Sequence, residues 1–164
     1  GAVADGPFDD LGAEAAFALG EAAAVAGDKA KALERYGRGA AALPKGGEWA
    51  VQSAFAAADL LAAEGKHAEA IEMFRKVLEK EDASPEWMAT AYFGIASRYE
   101  ALGKPSQAKL MYKECVKRNP PPELKARAEE RLKALSAGGS AAPAGTTPAK
   151  TGPKKRSGSS KAKP

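Results

Sequence analysis

The sequence predicts an all-α fold in which helix-turn-helix units stack side by side into a solenoid and a C-terminal helix closes the stack. Two observations predict it. Alanine supplies 39 of the 164 residues and few are β-branched, a balance that favours helix over strand. The sequence also repeats itself with a period of 38 residues. Because one helical hairpin cannot bury its own apolar face, repeated hairpins must stack on their neighbours.

The repeat is visible in five columns of residues that share one register. The columns are Gly27, Gly65 and Gly103; Ala32, Ala70 and Ala108; Tyr36, Phe74 and Tyr112; Phe17, Phe55 and Phe93; and Trp49 with Trp87. Each glycine separates two stretches with helical spacing of apolar residues, and glycine suits the position just after a helix. Every period is therefore predicted to hold two helices joined by a glycine turn.

Three such units are predicted. They cover residues 13–46, 51–84 and 89–122, with helices over Asp9–Ala26 and Asp28–Leu43, Trp49–Glu64 and His67–Lys80, and Glu86–Leu102 and Ser106–Arg118. The third unit has the clearest start, since Ser84 is a good N-cap, Pro85 suits the first helical position and Glu86 adds an acid to the first turn.

A capping helix is predicted over residues 123–136. Its apolar residues form one stripe at Leu124, Ala128, Leu132 and Leu135, and its other face is charged, as the last helix of a stack requires. The helical domain thus spans residues 9–136, after an N-terminal flank over 1–8.

Residues 137–164 form a basic tail that is predicted to be disordered. The tail holds six basic residues and no acid, and it has no aromatic residue and no aliphatic one larger than alanine. Removing those six from the 25 basic residues leaves 19 against 21 acidic residues in positions 1–136, a net charge of −2.

The repeated columns resemble the tetratricopeptide repeat over residues 13–122. The matching residues are Leu19, Gly20, Gly27, Ala32, Tyr36 and Pro44; Ala58, Gly65, Ala70 and Phe74; and Tyr92, Ile95, Ala96, Tyr99, Gly103, Ala108, Tyr112 and Pro120. The resemblance implies a right-handed α-solenoid. The period is longer than the family's usual one by four residues, about one helical turn, and longer units of this kind are similar to those of bacterial envelope-associated repeat proteins.

The resemblance also implies which residues line the inner surface, because in this family the first helix of each unit does so. The implied lining is Glu14, Phe17 and Glu21; Gln52, Phe55 and Asp59; and Thr90, Phe93, Ser97 and Glu100. A ladder of three phenylalanines beside acidic residues would suit an apolar peptide or helix that carries basic residues. The alternative is that the phenylalanine column is core and packs against a neighbouring helix.

Three other residue types have plain structural interpretations. Trp49 and Trp87 are expected to pack against the preceding helix, Cys115 to be a buried and unreactive thiol, and His67 to be an ordinary surface or packing residue. The sequence holds no Gly-rich phosphate loop, nucleophile elbow, HExxH or CxxC motif. These observations argue against an enzyme, a cofactor or a small-molecule substrate. One histidine and one cysteine cannot form a zinc cage, which leaves only a metal site made of carboxylates open.

The basic cluster Lys154, Lys155 and Arg156 in the tail allows three interpretations. It binds nucleic acid or anionic lipid without sequence preference, it only improves solubility, or it competes with the partner for the acidic inner surface.

The main functional prediction is a protein-interaction adapter or scaffold, and the runner-up is tail-mediated binding to nucleic acid or to an anionic membrane surface. Self-association is left open, because solenoid ends and grooves both self-associate. Localisation is left open as well: a single cysteine slightly favours the cytoplasm, and the longer repeat resembles those of periplasmic or cell-envelope proteins.

Overall fold

The computed structural model describes residues 10–43 and 45–138, with side chains from residue 12 onward. Within these ranges the chain forms seven helices and no strand, so the prediction of an all-α solenoid fold is confirmed. The helices are α1 (Asp10–Val25), α2 (Lys29–Ala40), α3 (Glu48–Ala63), α4 (His67–Leu78), α5 (Pro85–Ala101), α6 (Pro105–Lys117) and α7 (Pro122–Ser136). The flank 1–8 and the tail residues Lys154, Lys155 and Arg156 lie outside the described part of the chain.

The turns inside the units follow from glycine. Gly27, Gly65 and Gly103 have φ angles of 80°, 77° and 68°, a left-handed conformation that residues with a Cβ atom rarely adopt. Two helices are also capped by side chains: Asp28 accepts a hydrogen bond from the Lys31 amide at 3.0 Å, and Ser84 accepts one from Trp87 at 3.1 Å. The ends of the helices are therefore set by local chemistry.

Each first helix packs on the second helix of its own unit, and α3 and α5 also pack on the second helix of the unit before. The interior at the second and third units is built from Phe74, Val77, Ala91 and Ile95, all nearly fully buried. Gly94 of α5 lies directly under the Phe74 ring of α4, and a small residue there lets the two helices approach closely. At the other end, Leu124, Ala128 and Leu135 of α7 are buried against α5 and α6.

The first helices form one layer of the stack and the second helices form the other. Backbone contacts join α1 to α3 and α3 to α5 directly, and no contacts of that extent join α2 to α4 or α4 to α6. The first helices α1, α3 and α5 therefore lie closer to one another than the second helices do, which is the arrangement expected of the layer that lines the inner surface. None of the described helices is long and apolar enough to cross a membrane.

Replacing glycine by alanine at two positions of α2 should change the stability of the chain in opposite directions. A Cβ on Gly37 would meet nothing within 4 Å, whereas a Cβ on Gly39 would lie 2.7 Å from the Cβ of Ser53. We expect Gly37→Ala to raise the free energy of unfolding by about 0.5–1 kcal/mol, since glycine inside a helix has excess freedom in the unfolded chain. We expect Gly39→Ala to lower it by about 1 kcal/mol through overpacking. Urea titrations followed by circular dichroism measure both, and shifts in the same direction would contradict this account.

Candidate protein-binding surface

The phenylalanine column belongs to the interior of the stack. Phe55 is 9% exposed and Phe93 is 4% exposed. Each ring lies against the aromatic residue of the second helix in its own unit, with centroids 5.8 Å apart for Phe55 and Phe74 and 5.3 Å apart for Phe93 and Tyr112. The expectation that these two rings are presented to a partner is therefore wrong, because burying an aromatic ring against another is worth about 1.5–3 kcal/mol or more to the fold.

Phe17 is the one ring of this column that stays half-buried. Its centroid is 5.7 Å from that of Tyr36 and 5.4 Å from that of Trp49. The second contact links α1 to α3, so Phe17 connects two first helices as well as the two helices of its own unit.

Glu100 is likewise not available on the inner surface. Its side chain is 0% exposed and pairs with Arg131 of α7. Arg131 Nε donates to Glu100 Oε1 at 3.1 Å, a second guanidinium nitrogen donates to Oε2, and the Tyr112 hydroxyl donates to Oε1 at 2.6 Å. Burial, and after it the hydrogen bond to Glu100, raises the pKa of Tyr112 well above its usual range. Glu100 thus holds α7 against the third unit, and its predicted role in partner contact is corrected.

The polar residues of the predicted lining remain partly accessible. Gln52 and Asp59 of α3 and Thr90 and Ser97 of α5 are half-buried. Glu21 of α1 is half-buried too and accepts a hydrogen bond from the Tyr36 hydroxyl. Burial, followed by this hydrogen bond, raises the pKa of Tyr36 above its usual range, so the phenol stays protonated as a donor.

The accessible surface of the first helices includes residues that sequence reasoning missed. On α3 the half-buried positions run Gln52, Ala56, Asp59 and Leu60, which is the i, i+4, i+7, i+8 spacing of one helix face. The equivalent of Leu60 on α5 is Arg98, whose Nη2 donates to Ser97 Oγ at 2.7 Å. The spacing from Gln52 could have revealed Ala56 and Leu60, whereas the family pattern pointed to the phenylalanines.

Arg127 on the capping helix extends this surface. Its guanidinium lies 4.9 Å from the centre of the Phe93 ring, within the range of a cation–π contact. Sequence reasoning assigned Arg127 to the charged back of a terminal helix. The sequence does contain a signal for the accessible position of Arg127. The apolar stripe Trp87, Ala91 and Ile95 recurs 37 residues later as Leu124, Ala128 and Leu132. The same shift places Arg127 at the position of Thr90, a predicted lining residue.

We call this accessible surface the inner stripe. It consists of Glu14 and Glu21 on α1; Gln52, Ala56, Asp59 and Leu60 on α3; Thr90, Ser97 and Arg98 on α5; and Arg127 on α7. Carboxylates occupy its first two units and guanidinium groups its third unit and capping helix. The inner stripe can therefore orient an extended or helical ligand by charge as well as by shape.

The structure describes two side chains of the kinds that often act in catalysis, Cys115 and His67. Cys115 is fully buried, and burial raises the pKa of its thiol to about 12. Burial lowers the pKa of His67, and the nearby charge of Arg98 lowers it further. Among the residues that the structure describes, no group of three or more His, Cys, Asp or Glu side chains could hold a metal ion.

Comparison with protein families gives one match. No curated protein matches the chain. Residues 49–119 match the family model described as tetratricopeptide repeat, a segment that begins at Trp49 at the start of α3 and ends just after α6. Together with the seven described helices and their glycine turns, this match fits a protein of the tetratricopeptide-repeat family.

Proposed function

We propose that the protein is a non-enzymatic adapter that binds a peptide or helix of a partner protein along the inner stripe. Tetratricopeptide repeats generally mediate protein–protein interaction and are typically not enzymes. The observation that carries the proposal is the composition of the inner stripe, in which partly accessible polar side chains of three first helices accompany two partly accessible apolar residues of α3, Ala56 and Leu60. Such a surface offers hydrogen bonds and apolar contact to one ligand at the same time.

The charge of the inner stripe supports a partner segment of mixed sign. Glu14, Glu21 and Asp59 would face basic residues of the segment, and Arg98 and Arg127 would face acidic ones. This differs from an aromatic-anchored groove, because Phe55 and Phe93 are core residues and do not reach a ligand. Specificity would therefore come from the order of charges along the partner segment.

A charge reversal in the centre of the inner stripe tests the proposal. We expect Asp59→Arg to reduce the amount of specifically captured protein about tenfold, since it places a like charge against the basic part of the ligand. The measurement is affinity capture from the extract of the source cells followed by quantitative mass spectrometry. Asp59 is half-buried, so circular dichroism must show that the variant keeps the helical content of the unaltered chain.

The matched control is Glu72→Arg, which makes the same change of charge on the exposed side of α4 in the second-helix layer. Its captured proteins should be those of the unaltered chain. If both variants capture the same set at the same level as the unaltered chain, the inner stripe is not the binding surface. The triple alanine variant of Phe17, Phe55 and Phe93 is not a suitable test of binding, because Phe55 and Phe93 belong to the core and their loss would destabilise the fold.

A further inference from the structure

The first helix has an apolar face that is more exposed than the same positions of the other two units. Ala15, Ala18, Leu19 and Ala22 are all exposed, and Leu19 is 52% exposed. Their spacing of i, i+3, i+4 and i+7 puts them on one side of α1. We call these four residues the terminal face.

The internal repeat shows what normally covers this face. The residues 38 positions after Ala15 and Leu19 are Ser53 and Ala57, and those 76 positions after them are Ala91 and Ile95; all four are buried. Ser53 lies against Gly39 of α2, and Ala57 shares a cluster with Tyr36 of α2. Ile95 shares a cluster with Phe74 of α4. In both cases the second helix of the preceding unit provides the cover.

Val25 is not part of this argument although it is 89% exposed. Its counterparts, Ala63 and Ala101, are exposed as well, so the position is open in every unit. The comparison between units therefore separates Ala15 and Leu19, whose counterparts are buried, from residues that any first helix leaves in solvent. Ala18 and Ala22 lie beside them and are exposed, whereas their counterparts Ala56, Leu60 and Arg98 are half-buried.

Charge indicates which kind of helix fits. The α1 segment has three acids, Asp10, Glu14 and Glu21, and no basic residue. Of the two internal precedents, α4 is balanced in charge, with two acids and two bases. The other, α2, carries Lys29, Lys31, Arg35 and Arg38 against a single acid and packs on α3, which like α1 has acids and no base. A basic helix with one aromatic residue would thus match the apolar terminal face in shape and the acidic α1 segment beside it in charge.

A second copy of this chain offers no such helix. Its own α2, α4 and α6 each already lie between two first helices or against α7. Two α1 helices facing each other would pair two segments that each hold acids and no base. The α7 helix exposes Lys125, Ala126, Glu129, Glu130 and Lys133, which form no apolar stripe.

The remaining segments of the sequence also lack the required chemistry. Residues 1–9 contain two acids and no base, and residues 139–164 contain bases but no aromatic residue and no aliphatic one larger than alanine. We propose that the terminal face of α1 binds a basic amphipathic helix of a partner protein, which anchors one aromatic side chain over Ala18 and Leu19 as Tyr36 does over Ala57. This site borders the inner stripe, because Ala18 and Ala22 hold the repeat positions of Ala56 and Leu60.

The test uses a peptide with the chemistry of the internal precedent. The probe is a fluorescein-labelled peptide of residues 28–43 with Gly37→Ala, a change that favours helix and removes no contact. Binding to the full chain is measured by fluorescence anisotropy. We expect Leu19→Glu to weaken binding about tenfold or more, because it buries a charge in the apolar contact. Raising the salt concentration should weaken binding as well.

The matched control is Leu110→Glu on α6, since Leu110 is 55% exposed and Leu19 is 52% exposed. It should leave the affinity unchanged, and both variants should keep the thermal stability of the unaltered chain. A peptide with Tyr36→Ala should bind several-fold more weakly. The proposal is overturned if no binding is seen up to about 1 mM or if Leu19→Glu has no effect. Sedimentation that shows a dimer abolished by Leu19→Glu would instead assign the face to a second copy.

Discussion

Arg131→Met is expected to lower the free energy of unfolding by about 3–5 kcal/mol, the usual cost of removing one partner from a buried ion pair. Arg131 is 15% exposed and holds both carboxylate oxygens of Glu100, whose side chain is 0% exposed. Without the guanidinium, the carboxylate keeps the Tyr112 hydrogen bond but has no compensating charge. Urea unfolding followed by circular dichroism measures the loss, and methionine keeps much of the side-chain volume.

The control for this prediction removes the charge that Arg131 neutralises. In the double variant Glu100→Gln with Arg131→Met, no charge is left buried, so a large part of the lost stability should return. The single change Lys125→Met on the exposed side of α7 should cost less than about 0.5 kcal/mol, since its ion pair with Glu129 is solvent-exposed. An Arg131→Met variant as stable as the unaltered chain would show that α7 is held by its apolar stripe alone.

The parts of the fold that depend on local chemistry were predictable from the sequence. Gly27, Gly65 and Gly103 each have the left-handed backbone that their place in the repeat required. The cap at Ser84 and the proline after it gave the start of α5 to within a residue. The end of α2 was less well predicted: the helix stops at Ala40 rather than Leu43, after two glycines that weaken its last turns.

The depth of the phenylalanine column could not be obtained from the sequence. Helical spacing shows which residues lie on the same face of a helix, and Phe55 and Asp59 do so because they are four residues apart. The boundary between interior and solvent on that face depends on the side chain that comes from the other helix. In each unit that side chain is aromatic. Phe74 packs against Phe55 and Tyr112 packs against Phe93, so both phenylalanines are buried.

The pair of Glu100 and Arg131 illustrates the same limit for charges. The two residues are 31 positions apart and lie on helices that sequence reasoning described separately, one as a lining residue and one as part of a charged back. Both assignments change because the fold brings the side chains of Glu100 and Arg131 into contact. By contrast, Gln52, Asp59, Thr90 and Ser97 were predicted for the inner surface and are partly accessible, although binding there stays a prediction.

Gly94→Ala is expected to lower the free energy of unfolding by about 1–3 kcal/mol, although alanine is ordinarily the better helix residue. A Cβ at this position would lie 2.6 Å from the Cε1 atom of the Phe74 ring. That ring cannot move aside, because Phe74 is 1% exposed and packs among Val77 and Ile95. The helices α4 and α5 would have to separate, which would loosen the contact between the second and third units.

Phe74→Leu provides the specific rescue, because it removes the ring atoms that the new methyl group would meet. In a double-mutant cycle, Gly94→Ala should cost clearly less in the Phe74→Leu background than in the unaltered chain. Gly37→Ala, the same chemical change at an open helical position, should raise stability and so separates the clash from any general effect of alanine. If Gly94→Ala were to stabilise the chain as Gly37→Ala does, the units would not be held together by this close approach. The stacking in this protein would then rest on the surrounding alanine-rich contacts instead.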